Sequence, residues 1–237
     1  MPIYRIADLN VEVNPKFKIC RKRLESYAVK SNESGKTDIA ISVSDDEIRE
    51  RLRLSDNLSE QGAEDVLILS KFCNAVLDGF DGFFFHSSCL ELDGEGYVFS
   101  AVSGTGKSTH TALWRRHFGN RVTMINDDKP VIRKCDGKFY IYGTPWMGKA
   151  DIGTNTKAPV KAVYMLQRAE ENTAVRVLPS QVMKQLLEAT VIDVERSRME
   201  KLLELLDEFF KETPLFLLGC NMDESAVMTA YNAANGG

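Results

Sequence analysis

The sequence predicts an α/β fold in which helices pack against a mixed β-sheet. Three observations support this prediction. From residue 83 onward, short strand-like runs follow one another, separated by Gly and Asp turns. Apolar residues recur at helical spacing over 59–77 and again over 199–210. A Gly-rich loop lies between a strand-like run at 97–101 and a helix-like stretch that ends near residue 118, as in many α/β proteins.

The residue pattern over the first 80 positions predicts a small α/β extension with two strands and two helices. Partial alternation of apolar and polar residues predicts the strands. A cap candidate followed by acidic residues predicts the start of the first helix. These elements are strands at 3–13 and 38–43, a helix from Ser44 and a helix over 59–77. We place a domain boundary near residue 80, with the extension (1–80) packed on a core domain (81–237).

The sequence of the core domain predicts a sheet followed by a helical tail. The predicted strands are 83–92, 97–101, 122–125, 131–133, 139–142, 161–166, 175–178 and 215–218. Apolar residues from Met199 to Phe210 step by three and four along one helical face, which we interpret as core. Pro214 ends that helix, and a closing helix begins near Asp223.

Composition narrows the classes of function. The 237 residues are 43% hydrophobic and 27% charged, which argues against disorder. Because 34 acidic residues outnumber 30 basic ones, the chain lacks the positive field that holds nucleic acid. No apolar run reaches the roughly 20 residues that span a bilayer, and the charged opening lacks a signal-peptide stretch. We expect no nucleic-acid partner, no membrane partner and a cytoplasmic location.

Cysteine and histidine usage argues against disulfides and zinc. The five cysteines are scattered and never spaced as CxxC, and the three histidines form no HExxH motif. We therefore expect reduced cysteines and, for any bound metal, oxygen ligands.

The strongest chemical signal is the Gly-rich loop Ser103-Gly104-Thr105-Gly106-Lys107-Ser108-Thr109. It matches GxxxxGK[ST] except at the first position, where Ala101 stands, a departure that argues against an ordinary NTPase. Glycines let backbone N–H groups turn toward phosphate oxygens, and the following helix presents its positive N-terminus. Lys107 then reaches the β- and γ-phosphates, and Ser108 can ligate Mg²⁺. We predict that this loop binds ATP; a chance Gly-rich turn is the alternative.

Two carboxylates, Asp127 and Asp128, follow the next apolar run at 122–125. Beside a phosphate loop, one carboxylate can hold Mg²⁺ while the other accepts the proton of an attacking hydroxyl. Repulsion between paired carboxylates raises the pKa of one of them, which suits that group to act as a base. A solvated turn capped by aspartates is the alternative.

Four segments of this sequence together resemble the HPr kinase/phosphorylase and phosphoenolpyruvate carboxykinase superfamily, in particular its small HPr-kinase-like branch. The segments are His86-Ser87-Ser88, the loop ending in Thr109, Asn126-Asp127-Asp128-Lys129-Pro130, and Gly143-Thr144-Pro145-Trp146-Met147-Gly148-Lys149. They lie within residues 83–149, and a weaker similarity covers 161–171. The resemblance implies a mixed-sheet P-loop core of the HPr kinase type.

The resemblance also implies roles for individual residues. His86 lies on the strand before the loop and takes part in catalysis with Lys107 and Asp127, the base; the alternative for His86 is a hydrogen-bonded sheet histidine without a catalytic role. Ser108 and Asp128 hold Mg²⁺, although the residues alone leave open which aspartate is base and which is metal partner. Over 143–149, Trp146 is predicted to contact the nucleotide or acceptor, the alternative being a rigid turn anchored by a buried Trp.

Two departures limit the family assignment. HPr kinases carry a glutamate-containing Arg-Gly-Leu-Gly segment after the aspartates, whereas 142–146 offers no carboxylate here. HPr is therefore not the expected acceptor. Carboxykinases bring further metal and oxaloacetate ligands that we do not find in this sequence, which disfavours decarboxylation.

These inferences favour an ATP- and Mg²⁺-dependent kinase that phosphorylates a hydroxyl of a protein, peptide or small metabolite. The alternatives are a nucleotide-binding accessory or regulatory protein that transfers no phosphate, a plain ATPase, and a carboxykinase-like enzyme. A second carboxylate at the site favours the kinase over the nucleotide-binding accessory protein, because nucleotide binding alone needs no base. The acceptor, and whether the chain forms a homo-oligomer, are left open.

Overall fold

A computed structural model describes residues 1–30, 35–55, 57–102, 104–190 and 196–236. The strands are β1 (Ile3–Ile6), β2 (Leu9–Val13), β3 (Ile39–Ile41), β4 (Gly82–Phe84), β5 (Ser88–Leu92), β6 (Glu95–Ser100), β7 (Val122–Asn126), β8 (Val131–Cys135), β9 (Lys138–Tyr142), β10 (Lys157–Arg168), β11 (Thr173–Arg176) and β12 (Leu215–Cys220). The α-helices are α1 (Lys18–Leu24), α2 (Asp45–Arg53), α3 (Glu60–Gly79), α4 (Lys107–Phe118), α5 (Met183–Thr190), α6 (Arg196–Glu212) and α7 (Ser225–Asn235). In these ranges no helix is long and apolar enough to cross a bilayer.

The N-terminal layer contains a small sheet in the order β1-β2-β3, together with α1, α2 and α3. The predicted strand 3–13 is two strands, because Ala7 and Asp8 both have positive φ and turn the chain back into an antiparallel hairpin. The helix predicted from Ser44 is confirmed, with Ser44 and Glu47 forming a capping box. Helix α1 was not predicted, since it lacks both an acidic first turn and a side-chain cap.

The main sheet is mixed, which confirms the predicted mixed α/β class. Its strands follow the order β4-β8-β9-β10-β6-β5-β7, with β12 also beside β10 and β11 beside β12. Strand β10 pairs in parallel with β6 and β12 but antiparallel with β9. One long strand therefore joins the antiparallel part of the sheet to the parallel part.

The pairing of three strands brings the predicted site residues to one edge of the sheet. Strand β5 lies antiparallel between β6 and β7, with Ser88 opposite Phe99 and Cys89 opposite Asn126. The carboxyl ends of β6 and β7 therefore meet the amino end of β5. The Gly-rich loop that follows β6 and the two aspartates that follow β7 leave the sheet side by side.

The predicted strand 83–92 is interrupted at residues 85–87. Strand β4 pairs with β8, whereas β5 pairs with β6 and β7, so the chain must leave one partner before it joins the others. In this interruption the backbone N–H of His86 donates to the carbonyl of Ala189, 2.7 Å away at the end of α5. Helix α5 was also not predicted, and it fixes the backbone at His86.

The N-terminal layer and the main sheet share one hydrophobic cluster. Side chains of α3 pack in it with side chains of β8, β9 and the segment after β9; its members include Phe72, Val76, Val131, Tyr142 and Trp146. A second cluster contains Leu202, Leu206 and Phe209 of α6, which confirms the core role predicted for these positions. Leu203 of the same predicted stripe is 42% exposed and does not belong to the core. Side chains of the N-terminal layer therefore pack directly against the main sheet.

Candidate functional site

A cavity of about 830 Å³ opens where β6 and β7 end, and we name it the central cavity. Its lining residues are Arg23, His86, Gly104, Gly106, Lys107, Ser108, Thr109, Asp127, Asp128, Lys129, Gly148, Lys149 and Ala150. All predicted site residues line it except Ser103, which lies outside the described residues, Thr105 and Trp146. Residues from both predicted motifs thus share one space.

The Gly-rich loop has a backbone that requires glycine. Gly104 and Gly106 have φ angles of +81° and +120°, in the region that other residues rarely adopt. Helix α4 begins immediately after Gly106, so its free N-terminal N–H groups lie at the cavity. Thr105 donates through its hydroxyl to the carbonyl of Val102 at 2.8 Å and lines a neighbouring cavity. This geometry suits an anion at the helix N-terminus.

Lys107 lies in the first turn of α4 and lines the central cavity. Its Nζ donates to the carbonyl of Ala101 at 3.4 Å, a long contact that a phosphate oxygen can replace. Burial lowers the pKa of Lys107, while the charges of Asp128 and Asp127 act in the opposite direction.

Asp127 is buried, with 9% of its surface exposed, and its partner is a neutral hydroxyl. Ser88 donates from Oγ to Asp127 Oδ1 at 2.6 Å, and the same Oγ lies 2.9 Å from Thr111 Oγ1 on α4. This chain of hydrogen bonds fixes the carboxylate relative to the Gly-rich loop. Sequence reasoning gave Ser88 no role, because only the pairing of β5 with β6 and β7 places it beside Asp127.

Asp128 has charged and hydrogen-bonding partners on both carboxylate oxygens. His86 Nε2 lies 3.1 Å from Oδ1, and Lys129 Nζ forms an ion pair with Oδ2. Burial alone would raise the pKa of Asp128, but the hydrogen bonds from His86 and Lys129 outweigh it and lower the pKa to about 2. Asp128 is therefore a stable anion and a weak base.

Asn126 fixes the turn that carries both aspartates. Its buried amide donates to the carbonyl of Thr144 at 2.9 Å, and its Oδ1 accepts from the backbone N–H groups of Asp128 and Lys129 at 2.9 and 2.8 Å. Thr144 Oγ1 in turn donates to the carbonyl of Lys129 at 2.6 Å. Sequence reasoning missed Asn126 and Thr144 as positioning residues, although both lie in the quoted motifs.

Trp146 was predicted to contact the nucleotide or acceptor, but it does not line the central cavity. The indole is 2% exposed, stacks on Phe72 at 5.9 Å and donates from Nε1 to Asp65 Oδ1 at 3.1 Å. Both partners belong to α3, an element whose proximity the sequence does not reveal. The alternative interpretation, a turn anchored by a buried Trp, fits the structure, while Gly148 and Lys149 of the same segment do line the cavity.

The oxygen donors fit a magnesium ion held jointly with phosphates. Ser108, Asp127 and Asp128 line one cavity, and Mg²⁺ typically uses one or two carboxylates, waters and substrate phosphates rather than an all-protein cage. In the described ranges, no group of three or more His, Cys, Asp or Glu side chains capable of holding a metal is found.

Two further cavities adjoin the central one. The first, which we name the α1 cavity, has a volume of about 620 Å³ and shares Arg23 and Gly148 with it. The second, the β12 cavity, has a volume of about 500 Å³ and shares Gly104, Gly106 and Thr109. The two sets of shared residues do not overlap. The α1 cavity and the β12 cavity therefore adjoin the central cavity at different places.

Comparison with protein-family models and with curated proteins finds no match. Among solved structures, the chain is similar to the Hpr(Ser) kinase/phosphatase from Coxiella burnetii, with 12% identity and a TM-score of 0.36. The similarity covers 65% of this chain and 93% of that chain. A likeness at this TM-score supports neither a substrate nor a mechanism, and the family inferred from the motifs stays a prediction.

Proposed function

We propose that this protein is an ATP- and Mg²⁺-dependent phosphotransferase that phosphorylates a hydroxyl of a protein, peptide or small metabolite. The observation that carries the proposal is the environment of the two aspartates beside the Gly-rich loop. Asp128 is ion-paired, with a pKa of about 2, whereas Asp127 faces the same cavity with a serine hydroxyl as its partner. One carboxylate suits a metal and the other suits an attacking hydroxyl.

In the proposed reaction the loop N–H groups and Lys107 bind and orient the phosphates of ATP. The acceptor oxygen forms a bond to the γ-phosphorus, the bond from that phosphorus to the β,γ-bridging oxygen breaks, and ADP leaves with the electron pair. Asp127 accepts the proton of the acceptor hydroxyl. Ser108 and Asp128 are the residues that would hold Mg²⁺, whose bound charge neutralises the phosphates. His86 acts by orienting Asp128.

Thermal unfolding with nucleotide tests the binding half of the proposal. We expect Mg-ATP to raise the melting temperature, since a ligand at 100 times its Kd adds about 2.7 kcal/mol to stability. Lys107→Ala should remove most of this increase. Arg115→Ala, an exposed change on the same helix, is the matched control and should retain it. A wild-type protein that gains no Mg²⁺-dependent stability from any purine nucleotide would refute the proposal.

Incubation with γ-labelled ATP and an extract of the source cells tests the transfer half. We expect label on a protein, peptide or small molecule, and none with Asp127→Asn protein. If nucleotide binds but no acceptor is labelled and no phosphate is released, the accessory-protein alternative replaces the proposal. Release of labelled phosphate alone indicates an ATPase.

A further inference from the structure

Arg23 occupies the boundary between the central cavity and the α1 cavity and lines both. Arg23 belongs to α1, in the N-terminal layer. The lysines that line the central cavity belong to residues 81–237. Its side chain is 33% exposed. Sequence reasoning gave Arg23 no role, because α1 itself was not predicted.

A half-buried carboxylate, Asp65, holds Arg23 at this boundary. Arg23 Nη1 lies 3.2 Å from Asp65 Oδ2, and Asp65 Oδ1 accepts the hydrogen bond from Trp146 Nε1. Asp65 is thereby fixed from two sides. A guanidinium carries five N–H donors, so one ion pair leaves donors for a second anion.

Three lysines also line the central cavity. Lys129 is ion-paired with Asp128, and Lys107 lies within the Gly-rich loop, where it suits phosphates in the ground state. Lys149 is exposed and, as a lysine, lacks the planar group that donates to two oxygens at once. The β12 cavity shares loop residues with the central cavity, whereas the α1 cavity shares Arg23. A nucleotide that extends from the β12 cavity along the loop would have its terminal phosphoryl group in the central cavity, which Arg23 also lines.

We propose that Arg23 is a catalytic arginine which the N-terminal layer supplies to the phosphoryl group during transfer, with the acceptor entering from the α1 cavity. This inference rests on the proposed function. During transfer, charge spreads over three non-bridging oxygens of the phosphoryl group, and a planar guanidinium can donate to two of them at once. Arg23 exchanges no proton: the acceptor proton goes to Asp127, and the electron pair leaves with ADP.

The test compares two probes that differ only in the phosphoryl position. Mg-AMPPNP represents bound ATP, and Mg-ADP with aluminium fluoride represents the phosphoryl group in transit. Binding of each is measured by isothermal titration calorimetry. We expect Arg23→Ala to bind Mg-AMPPNP within about threefold of wild type and to lose about 100-fold or more of the aluminium fluoride affinity, since such arginines contribute roughly 10³ to 10⁵ in turnover. Arg21→Ala, an exposed change on the same helix, should bind both probes as wild type does.

A purely structural role for Arg23 predicts a different pattern. Arg23→Lys keeps the positive charge beside Asp65 but cannot donate to two oxygens in a fixed plane. We expect it to unfold at the wild-type temperature and still lose the aluminium fluoride affinity. Equal binding of Mg-ADP-aluminium fluoride by wild type and both Arg23 variants overturns the inference, as does a wild type that gains no affinity from aluminium fluoride. Failure of wild type to bind Mg-AMPPNP overturns the proposed function itself.

Discussion

At the scale of single residues, two adjacent carboxylates acquire opposite environments. Asp127 and Asp128 are identical in type and adjacent in sequence, yet one meets the hydroxyl of Ser88 while the other meets His86 and Lys129. Lys129 follows Asp128 directly, but Ser88 and His86 lie before the Gly-rich loop, so local sequence cannot assign them to either carboxylate. The pairing of β5 with β7 brings Ser88 to Asp127, and the interruption at residues 85–87 places His86 beside Asp128.

We predict that substitution of Asp127 and substitution of Asp128 have different effects on turnover and on nucleotide binding. Asp127→Asn should bind Mg-ATP nearly as wild type does and lower turnover by about two to four orders of magnitude, the usual contribution of a positioned base. Asp128→Asn should weaken Mg²⁺-dependent nucleotide binding. Calorimetry and steady-state kinetics measure the two effects. Equal losses of binding in both variants, without any loss of turnover in the first, would contradict the assigned roles.

The low pKa of Asp128 predicts that the fold loses stability in acid. Because the folded-state pKa of Asp128 is about 2, below its ordinary value of 3.8, the anion stabilises the fold at pH values above about 4. That stabilisation, about 2 kcal/mol, is lost as the pH falls from about 4 to about 2. In denaturant titrations over this range, the free energy of unfolding should fall less steeply for Asp128→Asn than for wild type. Parallel slopes would show that Asp128 is not held as an anion.

At the scale of elements, the segment after β9 reaches the site through close backbone contacts. A Cβ on Gly143 would lie 2.0 Å from the backbone oxygen of Thr154, and a Cβ on Gly148 would lie 3.0 Å from Asp128 Cβ. Gly148 also has a φ of +72°, which favours glycine. Because Gly143 and Gly148 have no side chain, the segment that contains them can pack Trp146 against α3 and still pass close to Asp128.

We predict that Gly148→Ala damages the site more than the fold. Positive φ should cost about 1 to 2 kcal/mol of stability, and the new methyl group should displace Asp128 and weaken Mg²⁺-dependent nucleotide binding. Gly94→Ala is the matched control, because Gly94 has a φ of +85° and nothing within 4 Å of its Cβ position. Chemical denaturation and calorimetry should give similar stability losses for both variants and a binding defect for Gly148→Ala alone. A similar binding defect in both would point to a general effect of strain.

At the scale of the whole molecule, the N-terminal layer and the main sheet are packed as one unit. They share a hydrophobic cluster, and Arg133 of β8 donates a hydrogen bond to the carbonyl of Ala7. Lys157 of β10 also pairs with Asp8 at 2.5 Å. The predicted boundary near residue 80 therefore separates two parts of the sequence whose apolar surfaces cover each other.

We predict that residues 81–237 do not fold alone. Removal of 1–80 would expose buried apolar side chains of the main sheet, among them Val131, Tyr142 and Trp146. Circular dichroism during heating should show no cooperative transition for this fragment. Ser44→Ala in the full chain is a control for modest damage to the layer: loss of the cap should cost about 1 kcal/mol and preserve cooperativity. A cooperative transition of the fragment at the wild-type temperature would show that the core domain is independent.

Features that depend on local interactions could be predicted from the amino-acid sequence. The capping box at Ser44, the glycines of the loop and the strand–loop–helix order from β6 to α4 each involve residues a few positions apart, so their physics is contained in a short window. The candidate loop and the aspartate pair were found for the same reason. The packing of Trp146 against α3, the hydrogen bond from Ser88 to Asp127 and the position of Arg23 at the central cavity could not be predicted in this way. Each of these depends on contacts between distant segments, which strand pairing and packing of the N-terminal layer select and which no local pattern encodes.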